Sequence, residues 1–137
     1  MRYNKGMSNR QINIGLLSLS CIGLVASYLI LQSDLYASAT GDMLVKLGKS
    51  LFYATTAMSL VFLVLLFTPQ AFTAWKKFAI WFVPLAAILF AVYPDPGSGD
   101  LFSPYPEQIF QWVSALYVII SISIITWKSY KLGVWKK

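Results

Sequence analysis

Four apolar stretches, none with a charged residue in its interior, limit how this chain can fold. An α-helix rises about 1.5 Å per residue, so about 20 apolar residues cross the roughly 30 Å hydrocarbon core of a bilayer with every backbone hydrogen bond closed internally. The sequence therefore predicts an all-α integral membrane protein with a single four-span domain. The predicted spans cover approximately residues 12–31, 50–68, 77–93 and 108–127.

The charged residues divide into two groups along the chain. All five carboxylates lie in two of the five segments that flank or connect the apolar stretches, and nine of the eleven lysines and arginines lie in the other three. Cytoplasmic segments of membrane proteins are enriched in Lys and Arg. This positive-inside pattern predicts an antiparallel four-helix bundle with cytoplasmic N and C termini, and we expect the membrane to be a prokaryotic plasma membrane.

Two lysines break this pattern. Lys46 and Lys49 fall at the outer end of the second span, where basic residues are not expected. Asp42 lies four residues before Lys46, so its carboxylate can share their helical face and compensate part of the charge.

The connections between spans are short or irregular. The segment from Pro69 to about Trp75 leaves little chain between the second and third spans, so we expect these two helices to form a tight antiparallel hairpin. Small residues four apart favour close approach of helix backbones, for packing within the bundle or between two copies. These pairs are Gly23 with Ser27, Thr55 with Ser59, and Ala87 with Ala91.

The first span has one alternative interpretation. Its basic start, its apolar run and the sequence Ala37-Ser38-Ala39 are similar to a secretory signal peptide that is cleaved after Ala39. The apolar run is longer than the roughly 7 to 15 residues usual for such a peptide, so we expect the span to be retained.

Composition excludes many kinds of chemical site. The chain has no histidine, and its single cysteine, Cys21, lies inside the first span, which excludes an intrachain disulfide, a thiolate metal cage and most acid–base sites. Asp95, Asp100 and Glu107 can meet in one loop, but their spacing matches no calcium-binding loop. The basic residues form no continuous stripe, which argues against nucleic acid as a partner. We therefore expect no enzymatic activity, no cofactor and no metal site.

A line of hydroxyl groups marks the fourth span. Ser114, Tyr117 and Ser121 are spaced by three and four residues, which places them on one face of the helix. The face can line a polar path, or it can form hydrogen bonds to the first span; bonding between helices is the more common role.

Pro84 is the helix breaker in the middle of a span. A proline inside a helix leaves the carbonyl one turn earlier, near Ile80, without its donor. That position is a hinge or ligand notch, or a static kink filled by neighbouring helices, and we favour the kink.

The C-terminal tail alternates cations with aromatic residues. Such a tail either recognises anionic lipid headgroups or only anchors the helix at the interface. The basic residues concerned are Lys128, Lys131, Lys136 and Lys137.

The absence of charge from the spans also bears on function. Proton-coupled carriers and pumps usually place an ionisable residue at mid-membrane, and four helices rich in Leu, Ile, Val and Phe are expected to pack shut. We therefore expect a non-catalytic subunit or scaffold that lies in the bilayer and associates with another membrane protein or with a second copy of itself. The alternative is a small oligomeric channel or carrier that uses the hydroxyl face of the fourth span.

Overall fold

The computed structural model describes residues 8–32, 41–93 and 106–133, and all secondary structure in these ranges is helical. Each of the four long helices is long and apolar enough to cross a membrane. The predicted all-α fold with four candidate spans is therefore confirmed. The helices are α1 (Asn9–Gln32), α2 (Gly41–Phe67), α3 (Phe72–Val92) and α4 (Pro106–Lys131), with the short 3₁₀ turn Pro69–Ala71 between α2 and α3.

Local hydrogen bonds define two of the helix ends. At the start of α1, the backbone N–H of Gln11 donates to the Ser8 hydroxyl at 3.3 Å and the Ser8 N–H donates to the Gln11 side chain at 3.0 Å, a capping box. After α4, Gly133 has a φ of 70°, and its N–H donates to the Tyr130 carbonyl at 3.1 Å. Glycine adopts this left-handed conformation without strain from a Cβ atom, so the helix ends there.

The end of α2 is tied to α1 by a side chain. Pro69 has no N–H, so it cannot donate the helical hydrogen bond to the Leu65 carbonyl. The buried Asn13 side chain donates to that carbonyl instead, at 3.3 Å. The Thr68 hydroxyl donates to the Val64 carbonyl at 3.1 Å. The proline that stops α2 therefore creates an acceptor that fixes the beginning of α1 against it.

α1 packs along α2 at close range, as the small residues predict. A Cβ atom at Gly23 would lie 2.8 Å from Cγ2 of Thr55. At Gly48 a Cβ atom would lie 3.1 Å from Ile30 and 3.2 Å from Leu31. Glycine at these two positions allows the helix backbones to approach.

The remaining helices meet around a cluster of aromatic and aliphatic side chains next to the Pro69–Ala71 turn. The rings of Phe62 and Trp75 lie 5.2 Å apart in an edge-on arrangement, and Val61 and Leu65 are fully buried beside them. α4 packs against both α2 and α3.

The expected tight hairpin of α2 and α3 is wrong. α2 packs along α1 and α4, and α3 packs along α4, but α2 and α3 do not pack against each other along their lengths. Their side chains meet near the turn, where Phe62 contacts Trp75, and further from the turn a cavity separates them. The bulky pair holds the helices apart, and the small residues beyond it are too short to close the gap. At this place the bundle also does not pack shut, contrary to expectation.

Candidate functional site

The cavity between α2 and α3, termed here the α2–α3 groove, has a volume of about 540 Å³ and is lined almost entirely by apolar atoms. Small-molecule sites in proteins have volumes of roughly 300–1,000 Å³ and similar apolar walls with a few polar groups. Side chains of α4 form its third side. The lining includes Lys46, Ser50, Ala54, Ala57 and Met58 from α2, Phe82, Ala86, Ala87, Phe90 and Ala91 from α3, and Val113, Ser114 and Tyr117 from α4.

Two of the three predicted hydroxyls lie on this groove. Ser114 and Tyr117 are buried, with 9% and 4% of their surfaces exposed. Within the described ranges, the Ser114 hydroxyl has no hydrogen-bond partner, and the Tyr117 hydroxyl lies beside Ser121 and Trp75. By contrast, Ser20 and Ser123 donate to carbonyls four residues earlier in their own helices, at 2.9 and 2.8 Å.

The third predicted hydroxyl has a different environment. Ser121 is fully buried and accepts a hydrogen bond from the indole N–H of Trp75 at 3.2 Å. A buried indole N–H needs an acceptor, and Ser121 supplies it. The interpretation that this face bonds to the first span is therefore wrong about its partner, because the bond goes to α3.

Aromatic rings cover the middle of the same face. The Tyr117 ring centroid lies 6.1 Å from that of Phe78 and 5.6 Å from that of Phe82. These rings, with the Trp75 indole next to Ser121, occupy the space in which a polar path along α4 would need water.

A polar cluster joins α2 to the first turn of α4 at the opposite end of the bundle from the Pro69–Ala71 turn. Lys49 forms an ion pair with Glu107 at 2.8 Å. The Tyr53 hydroxyl donates to the other carboxylate oxygen at 3.0 Å, and the Gln111 amide donates to the Tyr53 hydroxyl at 2.8 Å. Both charged side chains are about 40% exposed, so the pair contributes no more than about 1 kcal/mol.

Lys46 has a different role at this end. Its ammonium group donates to the Tyr93 carbonyl at 2.6 Å, directly after the last residue of α3. Carbonyl groups at a helix C-terminus carry partial negative charge, which favours a cation there. The two lysines that break the positive-inside pattern thus have described partners, which are Glu107 for Lys49 and the Tyr93 carbonyl for Lys46. The Asp42 side chain lies outside the described residues.

Pro84 lies on the outward side of α3. The helix continues through it without a break from Phe72 to Val92, and Pro84 is exposed. Its neighbour on the same side, Trp81, is 82% exposed. Within the described structure, no neighbouring helix covers Pro84. The expectation that neighbouring helices fill the kink is therefore wrong.

The predicted lipid-contacting lysines are only partly within the described residues. Lys128 and Lys131 lie in the last turn of α4. The Lys131 ammonium lies 5.2 Å from the Trp127 ring centroid, a cation–π contact. Lys136 and Lys137 lie outside the described residues, as do Asp95 and Asp100 of the outer loop.

The chain was compared with protein-family models, curated proteins and solved structures. None of them matches it. Sequence reasoning missed the groove and the Trp75 bond, although Ser50, Ala54 and Ala57 recur at helical spacing and mark one wall of the groove.

Proposed function

We propose that this protein is a non-catalytic subunit that lies in the membrane and associates with another membrane protein through the outward face of α3. Trp81, near the middle of that helix, carries the proposal. Tryptophan prefers the membrane interface, where its N–H meets water, but Trp81 is 82% exposed at mid-span. Its indole N–H has no acceptor among the described residues.

A second unpaired group lies next to it. Pro84 cannot donate to the Ile80 carbonyl, and no described side chain does so. In hydrocarbon, a donor and an acceptor without partners each cost free energy that no water offsets. Trp81 and Ile80 are adjacent, so one partner side chain that both donates and accepts can satisfy both groups.

The chemistry of the expected partner follows from these two groups. A transmembrane helix with Ser, Thr, Asn or Gln near the middle of the bilayer fits, since such residues bond between helices in membranes. Leu85 and Ile88, both exposed on α3, provide the apolar surface around the polar contact. Large aromatic side chains surrounded by apolar contacts are common anchors in protein interfaces.

The environments of the Ser121 and Ser114 hydroxyls support a non-catalytic role. Ser121 accepts a hydrogen bond from Trp75, and Ser114 lies in an apolar groove with no base beside it among the lining residues. A serine nucleophile needs an adjacent base, so this arrangement favours a binding role. The channel alternative is less well supported, because aromatic rings pack against Tyr117 and the groove beside Ser114 has apolar walls.

The proposed orientation places both termini in the cytoplasm. Lys76 and Lys77 follow the Pro69–Ala71 turn, and Lys128 and Lys131 end α4, so these cations gather at one end of the antiparallel bundle. The positive-inside rule supports the cytoplasmic side for that end.

The test compares Trp81→Leu with Trp127→Leu, since Trp127 is similarly exposed but lies at the end of α4. Each tagged variant is extracted from its native membrane directly into nanodiscs, and the co-purifying chains are identified and quantified by mass spectrometry. We expect a stoichiometric partner with the unmodified protein and Trp127→Leu, and a several-fold loss with Trp81→Leu. A partner that consists of this chain alone would make it a homo-oligomer. Equal recovery with both variants, or no partner with the unmodified chain, would contradict the proposal.

A further inference from the structure

Three described helical serines, Ser59, Ser114 and Ser129, make no side-chain hydrogen bond, and of these three Ser114 lines the groove. The Ser114 hydroxyl lies in an apolar groove, nine-tenths buried, and donates to neither a carbonyl nor a side chain. Ser18 and Ser123, in contrast, bond to their own helices. A polar group withdrawn from water without a partner is costly, so this hydroxyl is free to bond with a molecule in the groove.

A second hydroxyl lies one turn further along α4. Tyr117 also lines the groove, but its buried hydroxyl lies beside Ser121 and the Trp75 indole, away from Ser114. Its ring is held between Phe78 and Phe82. The groove therefore presents one unpaired hydroxyl donor, that of Ser114, with apolar and aromatic walls around it.

The size of the groove limits what can fill it. A methylene group occupies about the volume of a water molecule in the liquid, roughly 30 Å³, so about 540 Å³ holds approximately 18 such groups. On α2 the lining runs from Lys46 to Met58, a rise of about 18 Å. A transmembrane helix is about 10–12 Å across and occupies roughly 2,400 Å³ or more, which the groove cannot enclose.

The charges around the groove indicate a neutral ligand. The only charged side chain on the described lining is Lys46, at the end far from Ser114, and its ammonium already bonds to the Tyr93 carbonyl. The group that meets Ser114 is thus a neutral hydrogen-bond acceptor. The groove-lining residues Leu47, Leu51 and Ala87 are themselves exposed, so a ligand dissolved in the bilayer reaches the groove from the side.

We propose that the α2–α3 groove binds a neutral, chain-like lipophile from the bilayer, with a carbonyl oxygen that accepts a hydrogen bond from Ser114. The Tyr117 ring and the alanines of α2 and α3 contact the apolar chain. This site is distinct from the outward face of α3 around Trp81, so the two proposals can fail separately.

The test compares two probes that differ only in the carbonyl group. A linear sixteen-carbon ketone with an isotope-labelled carbonyl and the alkane of the same length are equilibrated with the protein in phosphatidylcholine nanodiscs and with empty nanodiscs. We expect the protein to retain the ketone about threefold to tenfold more strongly than the alkane, the ratio corresponding to one net hydrogen bond. The infrared band of the labelled carbonyl is expected to shift to lower frequency when bound.

Three variants test which residues cause the ketone preference and the band shift. Ser114→Ala should abolish both the ketone preference and the band shift, whereas Ser123→Ala, which removes an exposed hydroxyl bonded to its own helix, should leave both unchanged. Ala87→Phe, which fills the groove, should exclude both probes while the helical circular dichroism is retained. Equal retention of ketone and alkane by the unmodified protein, or an unchanged band shift in Ser114→Ala, would overturn the proposal. Partner recovery in the Trp81 experiment is expected to be the same for Ser114→Ala and the unmodified chain.

Discussion

Two serines on one face of α4 allow a matched test of how hydrogen bonding stabilises this bundle. Ser121 and Ser114 are both buried and seven residues apart on the same helix. Ser121 accepts the Trp75 indole N–H at 3.2 Å, whereas Ser114 has no partner. Replacing each by alanine makes the same chemical change in two different environments.

The expected changes in the free energy of unfolding follow from these contacts. Ser121→Ala leaves the indole N–H of Trp75 buried without an acceptor, which costs about 1–3 kcal/mol in water-soluble proteins. Bonds between membrane helices average about 0.6 kcal/mol and reach about 1.7 kcal/mol. Because the observed bond is slightly long, we expect a loss of about 1 kcal/mol. Ser114→Ala removes an unpaired hydroxyl, so the free energy of unfolding should stay the same or rise slightly.

The free energy of unfolding is measured in bicelles by steric trapping or by titration with a denaturing detergent. A double-mutant cycle with Trp75→Phe isolates the bond, and we expect the effect of Ser121→Ala to fall to near zero in the Trp75→Phe background. Equal effects of Ser121→Ala and Ser114→Ala, or a cycle with no coupling, would refute the assignment of the hydrogen bond.

Two further predictions concern other contacts of α2. Gly23→Ala places a Cβ atom 2.8 Å from Thr55 Cγ2 and should destabilise the fold by about 1–3 kcal/mol through overpacking. Gly15→Ala, with no atom within 4 Å of the new Cβ, should be neutral or stabilising by up to about 1 kcal/mol. Both glycine variants are measured by the same unfolding assay. Equal losses of unfolding free energy would contradict close packing of α1 on α2. Glu107→Gln removes the ion pair with Lys49 and should lower the free energy of unfolding by less than about 1 kcal/mol, because both groups are half exposed. A loss above about 2 kcal/mol would show that the cluster is much less hydrated than its exposure indicates.

The number and type of the helices could be predicted from the sequence because a bilayer leaves a polypeptide few alternatives. Backbone groups in hydrocarbon have to bond within their own segment, so the length of each apolar stretch indicates a helix. The structure extends α2 back to Gly41 and α4 on to Lys131. These additional turns contain charged residues, which hydropathy alone does not assign to a span.

Pairings between distant residues could not be predicted in this way. Lys49 is in conflict with the local charge pattern, but Glu107, which lies 58 residues later in the chain, compensates it. The helical spacing of Ser121 identified its face correctly, but no local pattern indicates that Trp75 would supply the donor. Partners of this kind depend on how whole helices are placed.

The α2–α3 groove was missed for a related reason. A short connection fixes only the adjoining ends of two helices, here near Phe62 and Trp75. Further from the turn, the distance between the helices depends on side-chain volume, and alanines at positions 54, 86 and 87 leave space. The expectation of a tight hairpin came from loop length alone.

The bond between Lys46 and the Tyr93 carbonyl has a mechanical consequence. α2 and α3 are linked through the Pro69–Ala71 turn at one end, and this bond links them again near the other. The two helices are thus joined at both ends of the groove, once by the chain and once by a hydrogen bond. Separation of α2 and α3 at the end far from the turn would therefore have to break this one bond.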